Sequence, residues 1–153
     1  MIKKVINKYL PQLFLEITNF GGLIFYLLVL GFVLLSWQFL LFWQLLFGLV
    51  VNVTVVVIIR LLYFKNRPNK QEFSNFIERL DASSFPSLHA ARIFFMALVF
   101  LVYFENIYLS VFLMVMACLV TYSRYYLRKH DSYDLFGGLT LGVLVFYVST
   151  FIF

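Results

Sequence analysis

The chain alternates long apolar runs with short polar stretches. From Phe20 to Ile59 there are 40 consecutive positions without a charged residue. A bilayer core takes about 20 helical residues, so this run is long enough for two crossings. The stretch LLSWQFL at 34–40 predicts the turn between them, because tryptophan favours the depth of the lipid head groups. We therefore expect spanning helices at about 21–36 and 39–62.

Three further apolar runs follow, at about 87–104, 107–123 and 135–153. Two polar stretches separate the runs on one side of the membrane: 63–87, which is the longest, and 124–134. Within the first polar stretch, four apolar residues share one side of a short amphipathic helix: Phe73, Phe76, Ile77 and Leu80. The sequence thus predicts an all-α fold, a polytopic membrane bundle of about five spanning helices.

The first 18 residues have a different pattern. Lysines and amides occupy one helical face, and the other face is apolar, with Ile2, Val5, Ile6, Tyr9, Leu10, Leu13 and Ile17. Such a helix lies in the membrane interface, and Pro11 is a place where it could break. We expect residues 1–18 to form an interfacial amphipathic helix.

Composition supports a membrane protein. Hydrophobic residues make up 63% of the chain and charged residues 12%, whereas soluble proteins are about a quarter charged. The 153 residues are enough for one domain, 1–153. Cys118 is the only cysteine, so no intramolecular disulfide can form.

The net charge of +5 is unevenly distributed. Five spans place the N-terminal helix and both polar stretches on one side of the membrane, and Glu105 with the C-terminus on the other. All 12 lysines and arginines, and both histidines, lie on or toward the first side. The positive-inside rule would make that side cytoplasmic. Arginines that serve a functional site would bias the same count.

The stretch RLLYFKNRP at 60–68 contains two arginines that could bind an anion. Arg60 and Arg67 are seven residues apart, close to two helical turns, which would put both guanidiniums on one side of a helix. Pro68 disfavours helical geometry at Arg67, so we expect the helix to end about there. Two planar charged groups suit a phosphate dianion. The alternative is that both arginines only extend to the interface from a helix end.

The stretch SSFPSLH at 83–89 predicts the start of a helix. Pro86 fits a helix start and Ser87 can cap it. The free N–H groups of residues 87–90 would then point toward an anion at the helix end. His89 lies in that first turn. The alternative is a cap beside an interfacial histidine.

The stretch SRYYLRKHDSYD at 123–134 holds a histidine and a carboxylate. His130 and Asp134 are four apart, and they share a helical face if the last helix begins this early. The carboxylate would orient the imidazole as a nucleophile or base. The alternative is a structural pair at a helix N-terminus, with Arg124 among the topology anchors. The seven acidic residues form no ligand cluster, so we expect neither a metal nor another cofactor.

In order and spacing, these stretches resemble the three motifs of the type 2 phosphatidic acid phosphatase superfamily. The motifs are Lys, six residues, Arg-Pro; then Pro-Ser-Gly-His; then Ser-Arg, five residues, His, three residues, Asp. The resemblance implies a membrane lipid phosphatase. It would hydrolyse a phosphomonoester or diphosphate of a lipid without a metal, through a phosphohistidine.

The resemblance also implies residue roles. His130 would be the nucleophile, Asp134 its orienting partner, and His89 the acid for the leaving oxygen and then the base for water. The implied phosphate contacts are Arg60, Arg67, Ser87, Leu88 and Arg124, with residues 63–87 as an active-site loop.

Two positions depart from the family pattern. Arg60 stands in place of lysine, and Leu88 in place of the glycine that permits close backbone approach. These departures keep two alternatives open: a phosphotransferase with a lipid hydroxyl acceptor, and an inactive protein that binds lipid phosphates.

The expected partners are membrane lipids and a lipid phosphate, with no nucleic acid. Phosphatidylglycerol phosphate, phosphatidic acid, undecaprenyl diphosphate and lipid A 1-phosphate all fit, and the oligomeric state is undetermined. Because bacterial relatives usually act on the outer leaflet, we expect a bacterial inner-membrane protein with a periplasmic site.

Overall fold

The computed structural model describes residues 2–153, with side chains described from Tyr9 onward. This part of the chain is helical and without a strand. Its seven helices are α1 Ile2–Asn19, α2 Leu23–Leu35, α3 Phe39–Leu62, α4 Phe76–Ala82, α5 Leu88–Phe104, α6 Ile107–Tyr126 and α7 Ser132–Ser149. The predicted all-α membrane bundle is confirmed.

Five apolar helices occupy the predicted places. Three of them, α3, α6 and α7, are individually long and apolar enough to cross a bilayer. The segments Tyr9–Asn19 and Leu23–Leu35 meet the same criterion together, although they are bent by 43°. Helix α5 is apolar but has 17 residues. The prediction of five spans is therefore right in the position of the helices and approximate in the number of full-length crossings.

Helix α1 forms where the amphipathic pattern predicts it, and Pro11 does not break it. The side chains at positions 2–8 lie outside the described residues, so the predicted face there is not described. Helix α1 packs on α6, where the Phe14 ring lies 5.6 Å from Tyr122 and 4.4 Å from Tyr126, between centroids. Its C-terminal part is therefore held against the bundle.

Helix α5 is the centre of the bundle. Its residues 90–97 are all buried, and Phe95 is fully enclosed. A side chain at Gly48 of α3 would collide with the Phe95 ring. A β-carbon at Gly138 of α7 would collide with the backbone of Ser87, the residue that precedes α5, and one at Gly142 with the backbone of Ala91 in α5. These glycines allow α3 and α7 to pack closely on α5, which places the start of α5 beside the start of α7.

Helix α3 ends where the apolar run predicted and not where the Arg-Pro pair did. The run indicated an end at about residue 62 and Pro68 an end at about Arg67, and the helix stops at Leu62 with Tyr63 as an extended C-cap. The chain then runs irregularly to α4, with one isolated antiparallel bridge between Asn66 and Ser83. The prediction that Arg60 and Arg67 share a helix is wrong, because the chain leaves α3 after Leu62 and pairs instead with the segment before α5. This pairing joins Asn66 with Ser83, and the Lys65 carbonyl with the N–H of Ser84.

Candidate active site

The two polar stretches and the start of α5 enclose a cavity of about 340 Å³. Six of the eight predicted site residues line it, namely Arg60, Arg67, Leu88, His89, Arg124 and His130. The other two, Ser87 and Asp134, are fully buried and do not line it. The fold thus gathers residues from all three sequence motifs around one space.

His130 lies just before α7 and not on it. We expected His130 and Asp134 on one helical face, but α7 begins at Ser132 and the Asp131 side chain caps it. That expectation is wrong, because the Asp131 cap fixes the helix start at Ser132, two residues after His130. The pair still meets: His130 Nδ1 lies 3.6 Å from Asp134 Oδ2. This distance is longer than a hydrogen bond, and Nδ1 has no hydrogen-bond partner among the described residues.

Asp134 is held in place by two other groups. The backbone N–H of Asp131 donates to Asp134 Oδ2 at 3.0 Å, which is one half of a capping box. Lys65 Nζ donates to Asp134 Oδ1 at 2.8 Å and to Asp131 Oδ2 at 2.6 Å. The carboxylate facing the imidazole of His130 is therefore fixed by both the helix cap and the 63–87 segment.

Ser87 caps α5 as predicted, but its backbone is occupied. Its Oγ accepts from the N–H of Ala90 at 3.5 Å, and its own N–H donates to the carbonyl of Asp134 at 2.9 Å. We expected four free N–H groups at residues 87–90, and for these two residues that is wrong. The cavity is bordered instead by Leu88 and His89.

Arg60 holds the active-site loop to α3. Its two terminal nitrogens donate to the carbonyls of Leu80 at 3.0 Å and Pro86 at 3.2 Å. These bonds join the last turn of α3 to the end of α4 and to the residue before the α5 cap. Arg60 thus lines the cavity while its outer nitrogens bind the backbone.

Arg67 and Arg124 approach the cavity from different segments. Arg67 donates to the carbonyl of Asp81 and lies 3.6 Å from its carboxylate. Arg124, on the last turn of α6, donates to Thr18 Oγ1 of α1 at 3.1 Å. Both arginines are more than nine-tenths buried, and the Nε of each has no hydrogen-bond partner among the described residues.

The cavity is strongly cationic. One carboxylate, from Asp81, lines it together with five cationic side chains, from Arg60, Arg67, Arg92, Arg124 and Lys129. Burial lowers the pKa of His130, and the cations of Arg124 and Arg67 lower it further, while Asp134 opposes the shift. His130 is therefore a neutral imidazole at neutral pH, and a neutral imidazole can donate an electron pair.

Three cationic residues around the site were missing from the sequence-based prediction. Arg92 and Lys129 line the cavity, and Lys65 binds Asp134. The sequence could have indicated Arg92, because a charge inside an apolar membrane helix suggests a functional residue. It could not have indicated the role of Lys65, since the partner of Lys65 is 69 positions away. Among the side chains from Tyr9 onward, no group of three His, Cys, Asp or Glu residues is placed to hold a metal ion.

Two solved structures share this fold. The crystal structure of LpxE from Aquifex aeolicus matches with a TM-score of 0.77 and 23% identity, over 92% of this chain and 85% of LpxE. A transmembrane PAP2 type phosphatidylglycerolphosphate phosphatase from Bacillus subtilis matches with a TM-score of 0.69 and 24% identity, over 94% of this chain and 76% of the other. At these identities the likeness concerns the fold alone.

Sequence similarity is more specific. The Escherichia coli (strain K12) protein named "Putative undecaprenyl-diphosphatase YbjG" is 39% identical over 70 residues, which are 46% of this chain and 35% of that relative. The chain therefore matches about a third of that relative's length. Residues 41–153 match the PAP2 superfamily, and they include all three motifs around the cavity. With the motifs, the fold and this match in agreement, the chain belongs to the PAP2 superfamily.

Proposed function

We propose that this integral membrane protein is a lipid phosphatase that transfers a phosphoryl group from a lipid to His130 and then to water, without a metal. One observation carries the proposal: a cavity with five cationic side chains contains a buried imidazole whose Nδ1 lies 3.6 Å from a fixed carboxylate. A phosphate dianion fits such a cavity, because charge-assisted hydrogen bonds from guanidiniums neutralise it.

Binding falls to the residues that retain free donors. Arg60, Arg67 and Arg124 each keep an unpartnered Nε among the described residues, but Arg60 uses both terminal nitrogens on carbonyls, whereas Arg67 and Arg124 each use one. Leu88 and His89 border the cavity at the start of α5. These groups stabilise the charge on the equatorial oxygens during transfer, which is the part that Mg²⁺ plays in other phosphoryl-transfer enzymes. Arg60 adds positive charge and holds the loop.

The chemistry then has two steps. In the first, His130 Nε2 attacks phosphorus, the bond from phosphorus to the lipid oxygen breaks, and His89 donates a proton to that oxygen. Asp134 stabilises the imidazolium through Nδ1. In the second, water attacks the phosphohistidine, His89 takes a proton from the water, and the N–P bond breaks to release inorganic phosphate and neutral His130.

Phosphate release from a lipid phosphate by the purified protein tests the proposal. We expect His130→Ala to lower kcat at least about a thousand-fold, as happens when a covalent nucleophile is removed. Tyr108→Phe, at an exposed position after the α5–α6 turn, serves as the control. Radiolabelled substrate should leave an acid-labile, base-stable label on the wild type and none on His130→Ala. Near-normal release by His130→Ala would remove this residue from its role.

Two other activities are separated by the same assay. Phosphate transfer to an added lipid alcohol, in place of release, would make the protein a phosphotransferase. Lipid-phosphate binding with neither release nor transfer would make it a binding protein.

We also propose that the protein lies in the bacterial inner membrane, with the cavity facing the periplasm.

A further inference from the structure

A second, larger cavity adjoins the site. It has a volume of about 940 Å³ and lies between the end of α1, the start of α2 and α5. Most of its lining is apolar, with Phe20, Leu23, Ile24, Phe25 and Leu28. These side chains are at least partly exposed on the bundle surface. The cavity therefore suits the apolar part of a lipid that enters from the side.

Two residues line both cavities, His89 and Arg92. They are three positions apart on α5 and so share one helical face. His89 is the proposed acid for the leaving oxygen, so the lipid lies on the far side of His89 from the transferred phosphate. Arg92 borders that same boundary. Its guanidinium is thus available to the part of the substrate that remains with the lipid.

Arg92 has no partner within the part of the chain that the structure describes. Its side chain is 5% exposed, and it makes no hydrogen bond or ion pair with a described residue. Glu16 lines the same large cavity but does not pair with it. Burying an unpaired guanidinium costs desolvation free energy, so proteins keep such a group where a ligand supplies the anion.

We propose that Arg92 is a specificity-determining residue that binds a second phosphate on the substrate, the one that stays with the lipid. The inference rests on the proposed function and narrows its substrate class. A phosphate on the leaving side occurs in a lipid diphosphate, where it is bridged directly to the transferred group. It also occurs in a lipid whose phosphomonoester lies a few atoms from a phosphodiester.

The bonds formed and broken are those of the first step of the proposed mechanism. For a lipid diphosphate, His130 Nε2 bonds to the terminal phosphorus, and the bridging P–O bond breaks with its electron pair on the lipid monophosphate. Arg92 stabilises the charge that develops on this leaving group. A phosphate leaving group needs protonation less than an alkoxide does, so Arg92 takes over part of the task of His89.

Matched substrate pairs test the inference. Farnesyl diphosphate is compared with farnesyl monophosphate, and phosphatidylglycerol phosphate with phosphatidic acid. We expect Arg92→Met to lower kcat/KM about 10- to 100-fold more on the substrate with the second phosphate. Arg92→Lys should recover part of the loss, and Arg128→Met, at an exposed arginine outside both cavities, should show no such difference.

Each outcome of the substrate comparison either supports or overturns the role of Arg92. A selective loss confined to the farnesyl pair assigns a directly bridged diphosphate, and one confined to the other pair assigns a phosphodiester. Equal losses within both pairs overturn the inference, because Arg92 would then bind the transferred phosphate. They leave the proposed function intact, which depends on His130.

A binding measurement covers the case in which the wild type hydrolyses none of these lipids. In a His130→Ala background, methylenediphosphonate should raise the Tm of the detergent-solubilised protein more than inorganic phosphate does. Adding Arg92→Met should abolish that difference, and adding Arg128→Met should not. Equal shifts in the His130→Ala protein, or a difference that survives Arg92→Met, would overturn the inference.

Discussion

Lys65 Nζ lies 2.8 Å from Asp134 Oδ1, although the two residues are 69 positions apart. The same ammonium lies 2.6 Å from Asp131 Oδ2, so one cation holds both carboxylates of the α7 capping box. Burial alone would lower the pKa of Lys65, but the hydrogen bonds to Asp131 and Asp134 outweigh it and raise the pKa. Lys65 is therefore a charged positioning residue for the carboxylate that faces His130.

Removing this contact should slow the chemistry. Lys65→Met leaves Asp134 with one partner fewer, and we expect kcat to fall about 10- to 100-fold with little change in KM, as for a misplaced catalytic group. Lys65→Arg should restore part of the lost kcat. Lys70→Met, at an exposed lysine of the same segment, should not alter kcat. Steady-state kinetics check this, and a rise in KM without a fall in kcat would instead place Lys65 in substrate binding.

The pH profile should report the environment of His130. Because burial lowers its pKa, the acid limb of kcat/KM belongs below the ordinary value of about 6.5. Arg67 also lowers this pKa, so Arg67→Met should move the limb to higher pH. Asp134 raises it, so Asp134→Asn should move the limb to lower pH while reducing the rate. The substrate's own titration is common to all three proteins, so the opposite directions belong to the enzyme.

The opposite shifts also make this prediction easy to contradict. If Arg67→Met and Asp134→Asn move the acid limb the same way, or leave it in place, the group that titrates is not His130.

Much of the architecture could be read from the sequence, because the length of an apolar run and a capping residue are local signals. The run at 39–62 became α3 with those bounds, and Ser87 became the cap of α5. The non-helical course of residues 63–67 could not be read, since it involves the bridge between Asn66 and Ser83.

The candidate site, too, could be predicted from the sequence only in part. Its motif residues are identifiable because their spacing is fixed along the chain, and six of them line the cavity. The roles of Lys65 and Arg60 depend on partners elsewhere in the fold, on Asp134 and on the carbonyls of Leu80 and Pro86. A one-dimensional pattern does not contain such contacts.

Arg60 should matter more for stability than for phosphate binding. Arg60→Lys keeps the charge but cannot serve both carbonyls with the same geometry. We expect it to lower the free energy of unfolding by about 1–3 kcal/mol, the scale of a hydrogen bond to a charged group, with KM nearly unchanged. Denaturation in detergent and kinetics on the same sample measure both. A raised KM with unchanged stability would mean that Arg60 binds the phosphate directly.

Gly138 should be required for the contact between α5 and α7. A β-carbon there would collide with the carbonyl of Ser87, which is backbone and cannot move aside cheaply. Gly138→Ala should therefore lower Tm and shift the start of α5, with a loss of kcat. Gly31→Ala is the matched control, because a β-carbon at Gly31 would meet nothing within 4 Å. We expect Gly31→Ala to stabilise α2 slightly, by up to about 1 kcal/mol.

The side of the membrane that bears the site can be determined with two single-cysteine variants. Ser74 is exposed just before α4, in the loop that borders the cavity. In a Cys118→Ala background, Ser74→Cys should react with a membrane-impermeant maleimide added to intact spheroplasts, because we propose a periplasmic site. A cysteine at Tyr108, after the α5–α6 turn at the opposite end of the bundle, should react only after lysis. The reverse pattern would place the site in the cytoplasm, where the positive-inside rule alone would put it.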